Sequence, residues 1–257
     1  MLTVANNKGG VGKTTTARFV AYVLAQKGLR VLLVDMDAQA NLSEHFLGSE
    51  AAAITKPHFT GCLAGEYPLS QAVRQTDYEN MWLLPAHPDL RFLDTGGMGN
   101  PEAEVRFVAD VYDSFGSPEP RAYQAFDWII LDTPPAISSY IRYALAVADY
   151  VIAPAHAHPS SIAGTLNMLS TLDAMSALMD RQAVLLGCVV THWNDDVVSN
   201  STIGQLRQIF VERNSRDFAQ KIPTDITIER TAMKTSSRAG SAYSAVVEEM
   251  LGYVSSP

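Results

Sequence analysis

Lys8-Gly9-Gly10-Val11-Gly12-Lys13-Thr14-Thr15 is the stretch on which the reading of this chain turns. It follows the short apolar run Leu2-Thr3-Val4-Ala5 and precedes a helical pattern over Ala17 to Gln26. A strand, a glycine-rich turn and a helix in that order make a phosphate-binding loop. The glycines allow positive φ and let successive N–H groups close round an anion, and the helix N-terminus adds its dipole. Lys13 is expected to reach the β- and γ-phosphates of a nucleotide, and the Thr14 hydroxyl to ligate Mg²⁺. A glycine turn that merely joined strand to helix would not call for Lys-Thr directly after the last glycine. The general pattern starts with Gly five residues before Gly12, where Asn7 stands here, and a second lysine, Lys8, lies ahead of the glycines. Lys13 already serves the bound phosphates, so Lys8 is expected to act elsewhere.

Two further segments fit the same chemistry. Arg30-Val31-Leu32-Leu33-Val34 reads as a strand buried on both faces, as in parallel sheets, with Gly28 ending the helix before it. It delivers Asp35-Met36-Asp37 to the carboxyl end of the sheet, where open α/β sheets bind ligands. Two carboxylates leaving a buried strand are costly unless a cation or a water chain uses them. Phe126-Asp127-Trp128-Ile129-Ile130-Leu131-Asp132 is a second apolar strand ending in one carboxylate, suited to hold Mg²⁺ near Thr14. The expected fold is α/β, a doubly wound and mostly parallel sheet flanked by helices, with residues 1–257 forming one P-loop domain.

Composition narrows the class. The 257 residues are 47% hydrophobic and 18% charged, enough for one sizeable core. No run nears the roughly 18 consecutive apolar residues of a membrane-spanning helix, and the loop comes too early to leave room for a signal peptide, so a cytoplasmic protein is expected. Cys62 and Cys188 belong to no Cys-x-x-Cys pair and read as reduced thiols. The net charge of −8 argues against a nucleic-acid binder as a whole. Residues 207–238 differ, with seven Lys or Arg against four Asp or Glu, which permits a local basic patch.

Further along, strands are expected at Tyr150 to Pro154 and Val184 to Val190, and helices at Glu102 to Phe115, Ser160 to Met179, Ser201 to Arg213 and Gly240 to Leu251. Thr95 to Pro101 reads as a linker, and His58 and His87 as surface loop residues. His156 and His158 follow a strand at its carboxyl end, but no third ligand at metal spacing accompanies them.

Asn6-Asn7-Lys8-Gly9-Gly10-Val11-Gly12-Lys13-Thr14-Thr15 resembles the deviant Walker A loop of the ParA/MinD family, and the resemblance extends over nearly the whole chain to short partition ATPases of the ParA/Soj type. It implies that Lys8 crosses to the phosphates of a partner subunit, making ATP the glue of a homodimer. Asp35-Met36-Asp37-Ala38-Gln39-Ala40-Asn41 is similar to the family's Asp-x-Asp-Pro-Gln-Gly-Asn segment, in which Asp37 would position the attacking water and Asp35 lie near the Mg²⁺ shell. Ala38 and Ala40 replace Pro and Gly. Asp132-Thr133-Pro134-Pro135 resembles the family's second switch. Asn194 and the loop at Pro223 would hold the adenine, and the absence of Asn-Lys-x-Asp favours ATP over GTP. The DNA-contacting positions implied by the resemblance fall on Arg207, with Arg230 and Lys234 nearby. Thr224 and Thr227 stand where the family has arginines.

The resemblance implies a Mg²⁺-dependent ATPase that binds non-specific DNA as an ATP dimer, is stimulated by a ParB-like adaptor, and associates with the nucleoid while segregating plasmid or chromosomal DNA. Two alternatives share the scaffold. A MinD-like positioning ATPase would need a basic amphipathic C-terminal helix, yet Leu251 to Pro257 has no Lys or Arg, so no membrane partner is expected. A metabolic ATP-dependent enzyme, such as a cobyrinate-type amide ligase, would need a substrate pocket that the sequence does not single out.

Overall fold

A computed structural model describes residues 1–48, 56–63, 66–93, 125–135, 138–224 and 233–255. The strands are β1 (Leu2–Val4), β2 (Val31–Asp35), β3 (Arg74–Gln75), β4 (Met81–Leu84), β5 (Trp128–Asp132), β6 (Tyr150–His156), β7 (Val184–Thr191) and β8 (Arg216–Asp217). The helices are α1 (Lys13–Gln26), α2 (Asn41–Leu47), α3 (Phe59–Leu63), α4 (Leu69–Ala72), α5 (Leu90–Leu93), α6 (Ser139–Val147), α7 (Ser160–Met179), α8 (Val197–Val211) and α9 (Arg238–Val254). The eight strands form one sheet in the order β3-β4-β2-β5-β1-β6-β7-β8, parallel throughout except for β3, which pairs antiparallel with β4 at the edge.

The strand sequences explain why both faces are covered. In β2, Leu32 and Val34 enter one hydrophobic cluster with α6, α7 and α8, while Val31 and Leu33 enter another with α1 and α9. Alternate residues point to opposite faces, so a strand apolar at every position needs a layer on each side. Helix α1 is buried from Thr16 to Ala25, and Phe19 stacks on Tyr243 of α9 with ring centroids 5.0 Å apart. Burying Phe19, Val23 and Leu24 contributes about 1.5–3 kcal/mol each, enough to pin α1 between the sheet and α9.

Register places the chemistry. Val4 pairs with Asp132, and Asp132 with Asp35, so the ends of β1, β5 and β2 lie level with one another. The chain leaves β1 toward β2 and β4, returns through β5, and passes across β1 to β6. The reversal opens a crevice at the carboxyl end of β1, the usual ligand position in such sheets.

Helix α8 starts at Val197, four residues before the expected Ser201. Asp196 caps it by accepting from Ser199 N at 2.8 Å, adding a turn that the apolar period does not show. His58 is not the surface residue expected. It is 3% exposed and stacks on His87 with centroids 4.3 Å apart. Its Nδ1 accepts from Gly61 N at 3.2 Å at the start of α3, so a helix rather than a loop receives it. The expected helix at 102–115, the linker at 95–101 and Arg230 lie outside the described residues.

Candidate functional site: the phosphate-loop cleft

The loop joining β1 to α1 takes left-handed conformations at Gly10 (φ 72°) and Gly12 (φ 80°). Gly12 caps α1 without any side chain, which leaves the first amides of α1 available to a ligand. By contrast α6, α8 and α9 are closed by Ser138, Asp196 and Ser237, whose side chains accept from amides three residues on. The loop is held from outside itself. Thr191 Oγ1 at the end of β7 donates to Val11 O at 2.9 Å, and Asn6 Nδ2 donates to Pro154 O at 2.9 Å and Thr165 Oγ1 at 3.0 Å.

The two lysines point to different places. Lys13 is buried, and its Nζ donates to Lys8 O at 3.0 Å, inside the loop. Burial lowers its pKa, opposed by the carboxylates of Asp132 and Asp37. Lys8 Nζ instead donates to the hydroxyls of Ser160 and Ser161, at the N-terminus of α7. The approach is close because position 164 is glycine, and a Cβ there would fall 2.8 Å from Lys8 Cβ. This berth is electrostatically poor. A helix N-terminus repels a cation, and the two serine hydroxyls bring no negative charge to offset it.

The carboxylates divide as well. Asp132 is 1% exposed, and burial followed by the neighbouring Asp35 charge pushes its pKa well above the usual range, offset by a hydrogen bond from Thr14 and by Lys13. Its Oδ1 has no hydrogen-bond partner among the described residues, nor has either side-chain amide atom of Asn7. A buried, unpartnered carboxylate oxygen beside a hydroxyl of the phosphate loop fits a divalent cation, which supplies the missing charge. Asp35 is fully buried and raised to about 6, chiefly by burial. Its Oδ1 accepts from Asp37 N at 3.1 Å, and its Oδ2 from Ser43 N at 2.8 Å and Ser43 Oγ at 2.7 Å. Ser43 Oγ in turn accepts from Ala86 N at 2.9 Å. Asp35 thus shapes the turn after β2 and ties α2 to the end of β4. Asp37 is half-buried, with Oδ1 accepting from Gln39 N at 2.9 Å, and it faces the cleft.

These groups surround a cleft of about 580 Å³, lined on one side by Gly9, Gly10, Gly12, Lys13, Thr14 and Thr15, and across it by Asp37, Thr133 and Pro135. Thr191, His192, Ile222 and Pro223 form its far end. There the chain after β7 turns at His192 (φ 50°), and Trp193 pairs with Pro223. The turn brings His192 to the cleft and leaves Asn194 exposed outside its lining. Arg18, Asn41, Glu44, His45 and Tyr243 also line it, and the sequence reading singled out none of them. Only the helical spacing of Arg18 from Thr14 and Thr15 could have pointed to one.

His192 also supplies the third imidazole that the sequence did not reveal, 4.8 Å from the His156 ring, with the His158 ring 6.0 Å from His156 as well. Among the described residues no cluster of three or more His, Cys, Asp and Glu side chains is arranged to hold a metal ion, so these imidazoles form no metal site of their own. Arg207 is exposed on α8 and Lys234 exposed before α9. No helix among the described residues is long and apolar enough to cross a membrane.

Ala40, where the resemblance has glycine, takes φ 54° at the start of α2. A left-handed residue with a Cβ costs about 1–2 kcal/mol, of which glycine returns part through its unfolded-state entropy. Ala40→Gly is expected to raise the nucleotide-free melting temperature by roughly 1–4 °C. A thermal melt showing no rise, or a fall, would contradict this.

A loop of this form at the switch point of a doubly wound parallel sheet, with Asp132 on the neighbouring strand, defines a P-loop fold. Residues 1–183 match the AAA domain family model. The chain is 35% identical over 213 residues to the chromosome-partitioning ATPase Soj of Thermus thermophilus, covering 82% of this chain and 77% of that one. The chain belongs to the ParA/Soj family of P-loop ATPases. Among solved structures, an Asp-to-Ala variant of Cyanothece McdA in complex with ATP aligns with TM-score 0.83 over 98% of this chain and 95% of that one, at 21% identity. Cobyrinic acid a,c-diamide synthase from Mycobacterium smegmatis, with an ATP analogue and magnesium, aligns with TM-score 0.79 over 99% and 95%, at 27% identity.

Proposed function

We propose that the chain is a partition ATPase of the ParA type, in which Mg²⁺–ATP joins two copies through Lys8 and hydrolysis releases them. The observation that carries this reading is the separation of the lysines. Lys13 occupies the loop, while Lys8 is turned out onto Ser160 and Ser161 at the positive end of α7, without a carboxylate partner in any ion pair of the described residues. A cation held so weakly gains by moving to a partner's phosphates. Gly9 to Thr15 would cradle the phosphates, and Pro223, with His192 at the same end of the lining, would border the adenine. Thr14 and Asp132 would hold Mg²⁺, whose charge screens the phosphate oxygens, and Asp35 would support them from behind. Asp37 would orient the attacking water and take its proton.

The partition role is supported by the chromosome-partitioning ATPase Soj among the relatives and by the basic positions Arg207 and Lys234, with Arg230 outside the described residues. The ATP dimer would bind non-specific DNA and so associate with the nucleoid, and a ParB-like adaptor would stimulate hydrolysis. Binding of unrelated duplex DNA by an Asp37→Ala variant tests this. It should require ATP, fail with ADP, and fall steeply between about 50 and 200 mM salt. Arg207→Ala in the same background should weaken binding while the ATP dimer persists. Absence of DNA binding in every nucleotide state would overturn the DNA role.

A further inference from the structure

The far end of the cleft, at Ile222 and Pro223, is reached by a stretch of chain that the sheet does not hold in the ordinary way. The edge strand β8 runs parallel to β7, and Phe218 N donates to Cys188 O at 3.2 Å. In a regular parallel ladder the next donor would be Gln220 N, to Val190 O. Ile222 N takes that acceptor instead, at 2.8 Å, and Thr224 N follows on Trp193 O at 3.4 Å. With Ile222 standing where Gln220 would, the chain after β8 has gained two residues. The bulge they make carries Ile222 and Pro223 to the cleft, where Pro223 pairs with Trp193.

A bulge takes backbone amides out of the ladder, and those amides need another acceptor. Here one side chain of another element serves both. Glu249 of α9 accepts from Ala219 N at 2.9 Å through Oε2 and from Gln220 N at 3.3 Å through Oε1. A carboxylate that takes two consecutive amides, one on each oxygen, fixes the direction of the chain as well as its position. The next residues continue the hold. Gln220 Nε2 donates to Lys221 O at 2.8 Å, and the Lys221 ammonium lies over the Trp193 ring, 5.1 Å from its centroid. Phe218, just before the bulge, is buried in the hydrophobic cluster that α9 shares with α1. Helix α9 therefore meets the cleft twice, directly through Tyr243 and indirectly through Glu249, which is not itself among the lining residues.

We propose that Glu249 is a positioning residue for the base end of the cleft: by holding the bulge at Ala219 and Gln220 it sets where Ile222 and Pro223 stand against the nucleotide base. This rests on the ATP reading above, and it gives α9 a part in nucleotide recognition that lies outside the phosphate loop and the carboxylates. The phosphate loop takes its anchors elsewhere, from Thr191 and Asn6. Loss of Glu249 therefore falls on the base and spares the phosphates.

Affinities for ADP and for inorganic pyrophosphate, each with Mg²⁺, measured by titration of wild type, Glu249→Ala and Glu249→Gln with ligand-free melting temperatures alongside, test the assignment. ADP carries the base and pyrophosphate lacks it. Glu249→Ala should weaken ADP about fivefold to fiftyfold while pyrophosphate stays within about twofold of wild type. Glu249→Gln keeps one acceptor oxygen and should recover part of the loss. ADP within about twofold of wild type in Glu249→Ala would overturn the proposal. Equal losses for ADP and pyrophosphate would overturn it too, making Glu249 a residue of the general fold. Should Glu249→Ala melt below the working temperature, Glu249→Gln decides alone: a ratio of ADP to pyrophosphate affinity lowered by about threefold or more supports the base-side role, and a smaller change refutes it. Wild type that binds neither ligand removes the ATP reading itself, which separates the two failures.

Discussion

Lys13→Ala is expected to weaken ATP binding by at least about a hundredfold while leaving the nucleotide-free fold intact. Lys13 Nζ donates to Lys8 O at 3.0 Å, and burial disfavours its charge. Two charge-assisted contacts to phosphate, at about 1.5–3 kcal/mol each, replace that arrangement when a nucleotide binds. Loss of both corresponds to two or more powers of ten in Kd. Stability should change little by comparison, because removing a desolvated ammonium relieves a burial cost while withdrawing a cation from Asp132 and Asp37. Fluorescence titration with a labelled ATP analogue, paired with a thermal melt, separates the two effects. Affinity within a few-fold of wild type would refute the assignment of the loop.

Asp37→Ala should have the opposite profile: ATP affinity kept, turnover down by about 10²–10⁴-fold, the range for a lost general base. Asp37 can be spared structurally because its neighbour performs the structural work. Asp35, not Asp37, holds Ser43 and the start of α2, whereas the Asp37 carboxylate accepts from Gln39 N and faces the cleft. Turnover measured with saturating ATP, and with DNA and adaptor present if the basal rate is low, checks the expectation. Turnover within twofold of wild type would move the water-orienting role to another group.

How much of this was legible in the sequence follows from the range of the interactions involved. Elements with strong local signals were readable: the glycines that must turn left-handed, the apolar strands ending at Asp35 and Asp132, and α7, whose limits Ser160–Met179 match the expected ones. The level register of Val4, Asp132 and Asp35 follows from those strands being parallel neighbours. What stayed hidden depends on partners distant in sequence. Arg18, His45 and Tyr243 line the cleft from three helices, and no local period brings residue 243 to residue 18. The Lys8 berth exists because Gly164 is small, over 150 positions away. The same holds for His58, which the stacking of His87 draws into the interior, and for His192, which a left-handed turn brings to the cleft in place of Asn194. Asp35 carried the opposite error of emphasis. The resemblance placed it near the Mg²⁺ shell, yet Ser43 engages its carboxylate in the scaffold.

The central claim is that ATP joins two copies of this chain through Lys8. The direct measurement is the molar mass in solution of Asp37→Ala with Mg²⁺–ATP and with Mg²⁺–ADP, and of the same variant carrying Lys8→Ala. The account predicts the mass of two chains with ATP, of one chain with ADP, and of one chain in both nucleotides once Lys8 is removed. One chain in every condition, or an ATP dimer indifferent to Lys8→Ala, would contradict it.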